Sequence, residues 1–290
     1  MTFVVTHSFP IHAEPARVFR ALTDADELMD WFADSAEVRL EKGGAYGFWG
    51  MYTPGAPRSS ESRIVDVEPD KLLCFSWLLH GVDTVVTYTL APTERGVTLT
   101  VAHEVRGDLP LPRQKEYVED FWRMMIGNLT QYIATGTSIE MQEVESDAPE
   151  VVHLLRIDAP AEHVFRALIE PEQISKWFGT TNAVVDPRVG GTYNLGWKAT
   201  IDTREVAEGP TRILAIEENE RLVLEWPDWR GDRSIPPQTV TFSLAPDADG
   251  GTYVTFVHSG FQRVMDISDY GFGWLHFLDK LKSTTEHPLL

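Results

Sequence analysis

Apolar side chains recur at every second residue along some stretches of the chain and at every third or fourth along others, the periods of strands and helices. Phe75 and Trp77, then Val86, Tyr88 and Leu90, then Val97, Leu99 and Val101 alternate with other residues and predict successive strands. Val18, Phe19 and Leu22 share one helical stripe, and Val118, Trp122, Met125, Leu129 and Tyr132 share a longer one. The second half runs through the same order. Leu224 and Trp226, then Val240, Phe242 and Leu244, then Thr252, Val254 and Phe256 alternate; Val164, Phe165 and Leu168, and later Tyr270, Trp274, Phe277 and Leu281, form stripes. Each half is therefore expected to open with a strand (Phe3–Ile11; Val151–Ile157). Two short helices follow, then a run of antiparallel strands, and one long amphipathic helix closes the half. Pro15 and Pro160 suit first helical turns, as does Pro171, and Asp24 suits an N-cap.

The pattern repeats because the sequence repeats. VFRAL at 18–22 returns at 164–168, and residues 11–32 align without a gap to residues 157–178. GGAYGF (43–48) matches GGTYNL (190–195), and the arginine-led RIVDVEPDKLLCFSW (63–77) matches RILAIEENERLVLEW (212–226). Solenoid units repeat every ~20–50 residues. A period this much longer marks a duplicated domain, expected as residues 1–141 and 151–290 joined by a polar linker, 142–150. The fold class is α+β, two tandem domains in which a curved antiparallel sheet wraps a long C-terminal helix. That helix alone is large enough to cover the sheet, and the space between them is where a cavity is expected.

Composition narrows the chemistry. The net charge is −19 with no basic run, so nucleic acid and anionic membrane surfaces are excluded as partners. No apolar run reaches the ~18–20 residues that span a bilayer, and nothing at the N-terminus reads as a leader. A cytoplasmic location is the simplest expectation. The single cysteine, Cys74, excludes an intrachain disulfide, and its apolar setting predicts a buried strand thiol. No HExxH, CxxC or paired His/Asp spacing suggests a metal, and no cofactor is expected.

The VFRAL…WF opening, the GGAY/GGTY hairpin, the arginine-led strand pair and the closing W-x6-L helix (Trp122 to Leu129; Trp274 to Leu281) resemble the SRPBCC (START-like, helix-grip) superfamily. Within it they resemble most the group named for the activator of heat-shock-protein-90 ATPase. The resemblance covers nearly all of both copies and implies the helix-grip fold. It also implies a range of roles, from lipid and hormone carriers to polyketide cyclases, stress-response proteins and co-chaperones. The eukaryotic co-chaperone carries a different N-terminal domain where this chain has a second helix-grip copy.

Strand parity nominates the residues facing the expected cavity. Arg63 shares its face with Val65 and Val67, and Arg212 with Leu214 and Ile216. His103 ends the Val97–Val101 strand as His258 ends its counterpart. Together with Trp77, Tyr88 and Trp122 in the first copy, and Trp226, Phe242 and Trp274 in the second, these are the candidate ligand-binding residues. The arginines could anchor a polar or anionic head, or pair with carboxylates or reach water. The tryptophans could be core or cage, and the histidines structural. Two Pro/Gly-rich loops, Met51–Ser60 and Pro227–Pro237, could close a cavity mouth. The leading functional expectation is non-catalytic binding of a small apolar or amphipathic molecule. The alternatives are a polyketide aromatase/cyclase and a protein that interacts with a chaperone or another partner in the stress response. An internal pseudo-dimer favours a monomer.

Overall fold

The computed structural model describes residues 2–50, 52–54, 62–201 and 204–287. The chain divides into two compact units, Met1–Asp147 with Arg263–Phe272, and Ala148–Gln262 with Gly273–Leu290. The division falls inside the polar stretch expected as the linker. It differs from the expected boundaries in grouping Arg263–Phe272 with the first unit.

The first unit runs β1 (Thr2–Ile11), α1 (Pro15–Thr23), α2 (Ala25–Trp31), β2 (Ser35–Val38), β3 (Tyr46–Trp49), β4 (Ile64–Glu68), β5 (Leu72–Leu79), β6 (Val82–Thr93), β7 (Gly96–Arg106) and α3 (Gln114–Thr135). The second runs β8 (Glu150–Ile157), α4 (Ala161–Ile169), α5 (Pro171–Phe178), β9 (Val184–Val185), β10 (Tyr193–Asn194), β11 (Trp197–Ile201), β12 (Arg204–Glu208), β13 (Arg212–Glu217), β14 (Arg221–Trp226), β15 (Gln238–Pro246), β16 (Thr252–Ser259) and α6 (Tyr270–Glu286). Each unit holds a five-stranded antiparallel sheet of the same topology, β4-β5-β6-β7-β1 in one and β13-β14-β15-β16-β8 in the other. Single bridges, Ala45 to Arg63 and Thr192 to Arg212, tie the small hairpin strands to the sheet edge.

The repeated motifs are repeated because they bond one another. A helix leaves its last carbonyls without intrahelical partners. In α1 those of Ala21 and Leu22 are met by the Trp31 Nε1–H at 2.9 Å and the Tyr46 hydroxyl at 2.6 Å. In α4 the carbonyls of Ala167 and Leu168 are met by Trp177 at 2.9 Å and Tyr193 at 2.7 Å. VFRAL, the Trp-Phe pair and the Gly-Gly hairpin are thus three parts of one hydrogen-bonded device. The hairpin glycines are required by conformation at one position and by space at the next: Gly43 and Gly190 sit at φ 80° and 78°. A Cβ on Gly44 would lie 2.0 Å from the Arg39 carbonyl, and one on Gly191 2.1 Å from that of Asp186.

The cores follow the predicted alternation along β5, β6 and β7, where Phe75, Trp77, Val86, Tyr88, Leu99 and Val101 are buried. The stripe on α3 is buried through Val118, Trp122, Met125, Leu129 and Tyr132; of that expected on α6, Trp274 and Leu281 are buried, Tyr270 and Phe277 are half-buried, and Leu278 is buried beside them. Burying each such side chain contributes about 1.5–3 kcal/mol. Asp24 caps α2, its carboxylate accepting from the amides of Asp26 and Glu27. Pro15 and Pro171 occupy first turns as expected, whereas Pro160 is the cap residue before α4.

Two expectations are corrected here. Cys74 is half-buried, on the outer side of β5, where its sulfur accepts from the Thr87 hydroxyl at 3.4 Å. The parity read along β4 and β13 is inverted ahead of a bulge in each strand, while Val67 and Ile216 beyond it keep the expected face. Ile64 and Ile213 face the core at 1% and 0% exposure, while Val65 and Leu214 are 44% and 39% exposed. In both copies the strand pairing slips, between Ile64 and Asp66 and between Ile213 and Ala215. One extra residue in a bulge turns every preceding side chain to the other face.

Candidate functional site

The inversion decides where the arginines go. Arg63 is exposed, and its guanidinium donates to the Ser62 carbonyl at 3.0 Å. The Arg212 side chain is 56% exposed and forms a forked ion pair with Glu225 across β13 and β14, at 2.6 and 3.1 Å. Neither faces the space between sheet and helix, so their proposed place as inward anchors is withdrawn. A charged group at the end of a strand remains in water when a bulge makes that possible, since burial without a partner is expensive.

The other eight candidates converge. In the first unit Trp77, Tyr88, His103 and Trp122 are each at most 2% exposed. They come from β5, β6, β7 and α3. The Trp77 and His103 rings stack, with centroids 5.4 Å apart, and Trp122 stands edge-on to Tyr88 at 5.6 Å. In the second unit Trp226, Phe242, His258 and Trp274 repeat the placement, with Trp226 5.2 Å from Trp274 and 5.5 Å from His258. Such ring pairs add about 0.5–1.5 kcal/mol beyond the area they bury.

One hydrogen bond joins helix to sheet at the centre of each cluster. Trp122 Nε1 donates to His103 Nδ1 at 2.9 Å, and Trp274 Nε1 donates to His258 Nδ1 at 3.0 Å. The indole can only donate, so Nδ1 must carry a lone pair in both rings. Burial lowers both imidazole pKa values to about 3. Each ring is therefore neutral at physiological pH, and its one proton sits on Nε2. In the second unit that Nε2 lies 3.0 Å from Gln238 Oε1 and donates to it. In the first unit Nε2 of His103 is buried and has no hydrogen-bond partner among the described residues. An unpaired buried donor costs about 1–3 kcal/mol.

Sequence reasoning did not single out Thr84 or Gln238, the residues behind this difference. A signal existed: each stands two positions before the matched VTYTLAP and VTFSLAP runs, and the two copies disagree there by one short and one long polar side chain.

Of the two loops expected to close a mouth, Met51–Ser60 lies largely outside the described residues. In Pro227–Pro237 the carboxylate of Asp228 is buried and accepts from the amides of Arg230 and Asp232, at 3.0 and 3.1 Å. Arg230 lies over the Trp229 ring at 4.2 Å. A crevice of about 150 Å³ opens beside Trp31, Tyr52 and Asn128, and another of about 160 Å³ beside His163, Arg166 and Thr284. Neither is lined by the Trp–His pairs. Among the described residues no group of three or more His, Cys, Asp or Glu could hold a metal ion, and no helix is long and apolar enough to cross a membrane.

Comparison with known proteins finds the family described as "Activator of Hsp90 ATPase homolog 1-like protein" matching twice, over residues 12–134 and 158–286. No curated protein matches the chain. Among solved structures, DynU16, described as a putative protein in the dynemicin biosynthetic locus, is 18% identical, with 97% of this chain and 98% of that one covered and a TM-score of 0.41. Protein MLL2253 from Mesorhizobium loti is 27% identical over 49% of this chain and 99% of its own, with a TM-score of 0.39. The Aha1 dimer from Colwellia psychrerythraea is 22% identical over 47% and 96%, with a TM-score of 0.37.

Proposed function

The chain belongs, in both of its copies, to the family of activator of Hsp90 ATPase homolog 1-like proteins, and from that premise we propose that it is a non-catalytic binder of a small apolar or amphipathic molecule, taken up between the sheet and the long helix of a unit. The observation that carries this reading is the buried Trp–His pair set among aromatic rings. The cluster is apolar with very few polar groups, the usual make-up of a small-molecule site.

The same geometry counts against proton-transfer chemistry. A general base needs a lone pair directed at the substrate and a pKa near the working pH. The Nδ1 lone pair of each histidine is taken by a tryptophan, and both rings stay neutral down to about pH 3. The arginines that would polarise an enol in an aromatase/cyclase lie on the other face of the sheet. Binding is the chemistry that remains to these residues.

Native mass spectrometry of the purified chain, paired with displacement of 1-anilinonaphthalene-8-sulfonate by fatty-acid and aromatic library members, tests the reading. A small-molecule adduct lost on denaturation, or saturable displacement at one or two sites per chain, is expected. Neither adduct nor displacement, together with a pull-down that enriches a chaperone ATPase, would replace it with the partner role in the family's description.

A further inference from the structure

The two units hold the same histidine differently. Val86 stands opposite His103 and Val240 opposite His258. Two residues upstream, Thr84 stands opposite Trp77 and Gln238 opposite Trp226. Thr84 and Gln238 therefore occupy one and the same place in the two sheets. The longer amide reaches the imidazole, and Gln238 Oε1 accepts its Nε2–H at 3.0 Å. The shorter hydroxyl turns to the backbone instead and donates to the Trp77 carbonyl at 2.7 Å. His103 is held by Trp122 on one nitrogen, is stacked on Trp77, and keeps on the other an N–H with no partner among the described residues. A single side chain separates a satisfied donor from an unsatisfied one.

We propose that His103 Nε2–H is the recognition donor of the first unit, that its ligand is a small apolar molecule bearing an uncharged carbonyl oxygen, and that Gln238 stands in for such a carbonyl in the second unit, which is the supporting copy. The claim rests on the binding reading above and narrows it to one unit and one chemical class. The class follows from charge. Arg63 faces outward, so a carboxylate or phosphate head beside His103 would lose its hydration without Arg63 to replace it. A neutral carbonyl needs one donor, and one donor is present. The amide oxygen of Gln238 is itself a carbonyl oxygen, so the second unit carries a built-in copy of the proposed interaction.

The test uses the full chain with ¹⁵N-labelled histidine and the neutral naphthyl ketone prodan as probe, with 2-(dimethylamino)naphthalene as its carbonyl-free counterpart. Prodan is expected to bind one equivalent and to shift the Nε2–H resonance of His103 while leaving that of His258 in place. The carbonyl-free compound is expected to bind at least tenfold more weakly. T84Q, which grafts the second unit's amide into the first, should bring the His103 resonance toward that of His258 and weaken prodan at least tenfold. T84V, which removes only the hydroxyl, should stay within about twofold of the parent. Prodan binding that is equal in T84Q, or that leaves His103 unshifted, overturns the assignment while the binding reading stands. A long-lived water on His103 Nε2 that persists with prodan bound overturns it as well. Failure of prodan and of every library member to bind overturns both. Should T84Q not fold, the His103 shift in the parent chain decides alone.

Discussion

An imidazole that accepts from an indole on Nδ1 and is shut away from water cannot take a second proton until the fold yields. His103 and His258 are both in that state, with pKa values lowered by burial from 6.5 to about 3. Above pH 6.5 the rings are neutral in folded and unfolded chain alike, and their titration contributes nothing. Below it the unfolded chain binds protons that the folded one refuses, so stability falls with pH through the window from 6.5 down to about 3. Each histidine adds a slope of about 1.4 kcal/mol per pH unit inside that window. Urea midpoints followed from pH 7.5 to 4.5 should show this loss, and H258Q should reduce the slope by close to one proton. An unchanged slope in H258Q would mean that the ring is already protonated in the folded state. Six of the eight buried candidate residues were legible from strand alternation, because β5 to β7 and their counterparts run without interruption past them, and Trp122 and Trp274 were legible from the helical stripes of α3 and α6. The arginines were not. Their direction turns on a bulge that no local residue type announces, since Val65 and Val67 read as inward whether or not the pairing slips.

Whole elements are fixed by polar groups at their ends as much as by their apolar faces. The carbonyls of Ala21 and Leu22 need donors, and the donors come from α2 and β3; the second copy repeats the arrangement with Trp177 and Tyr193. That mutual need is why widely spaced motifs recur as a set. Short helices such as α2 depend on their caps. Asp24→Ala removes the acceptor for two amides and should destabilise the first unit by about 1 kcal/mol. Glu170, at the equivalent place before α5, makes no side-chain cap bond, so Glu170→Ala should leave the second unit nearly unchanged. Chemical denaturation followed in the two variants distinguishes these outcomes, and equal losses would show that the Asp24 cap contributes nothing particular.

At the scale of the molecule, two cores of the same design stand in one chain. Leu129 on α3 and Leu281 on α6 are both fully buried, each within its own unit. Leu129→Ala and Leu281→Ala should each cost about 2–5 kcal/mol. Scanning calorimetry should resolve two transitions, of which each variant lowers one. A single transition lowered equally by both would mean that the units unfold as one body. The net charge of −19 acts on the whole surface by self-repulsion, which salt screens, so both transitions should rise modestly between low and physiological ionic strength.

The sequence by itself determined the duplicated α+β domain, its order of elements and most of its two cores, because periodicity, turn glycines and repeated motifs are properties of neighbours along the chain. Only the tertiary structure decided which way the arginines face and which histidine keeps a proton to give. Both depend on what lies across the sheet: a slipped pairing in β4 and β13, and the reach of one side chain at the place shared by Thr84 and Gln238.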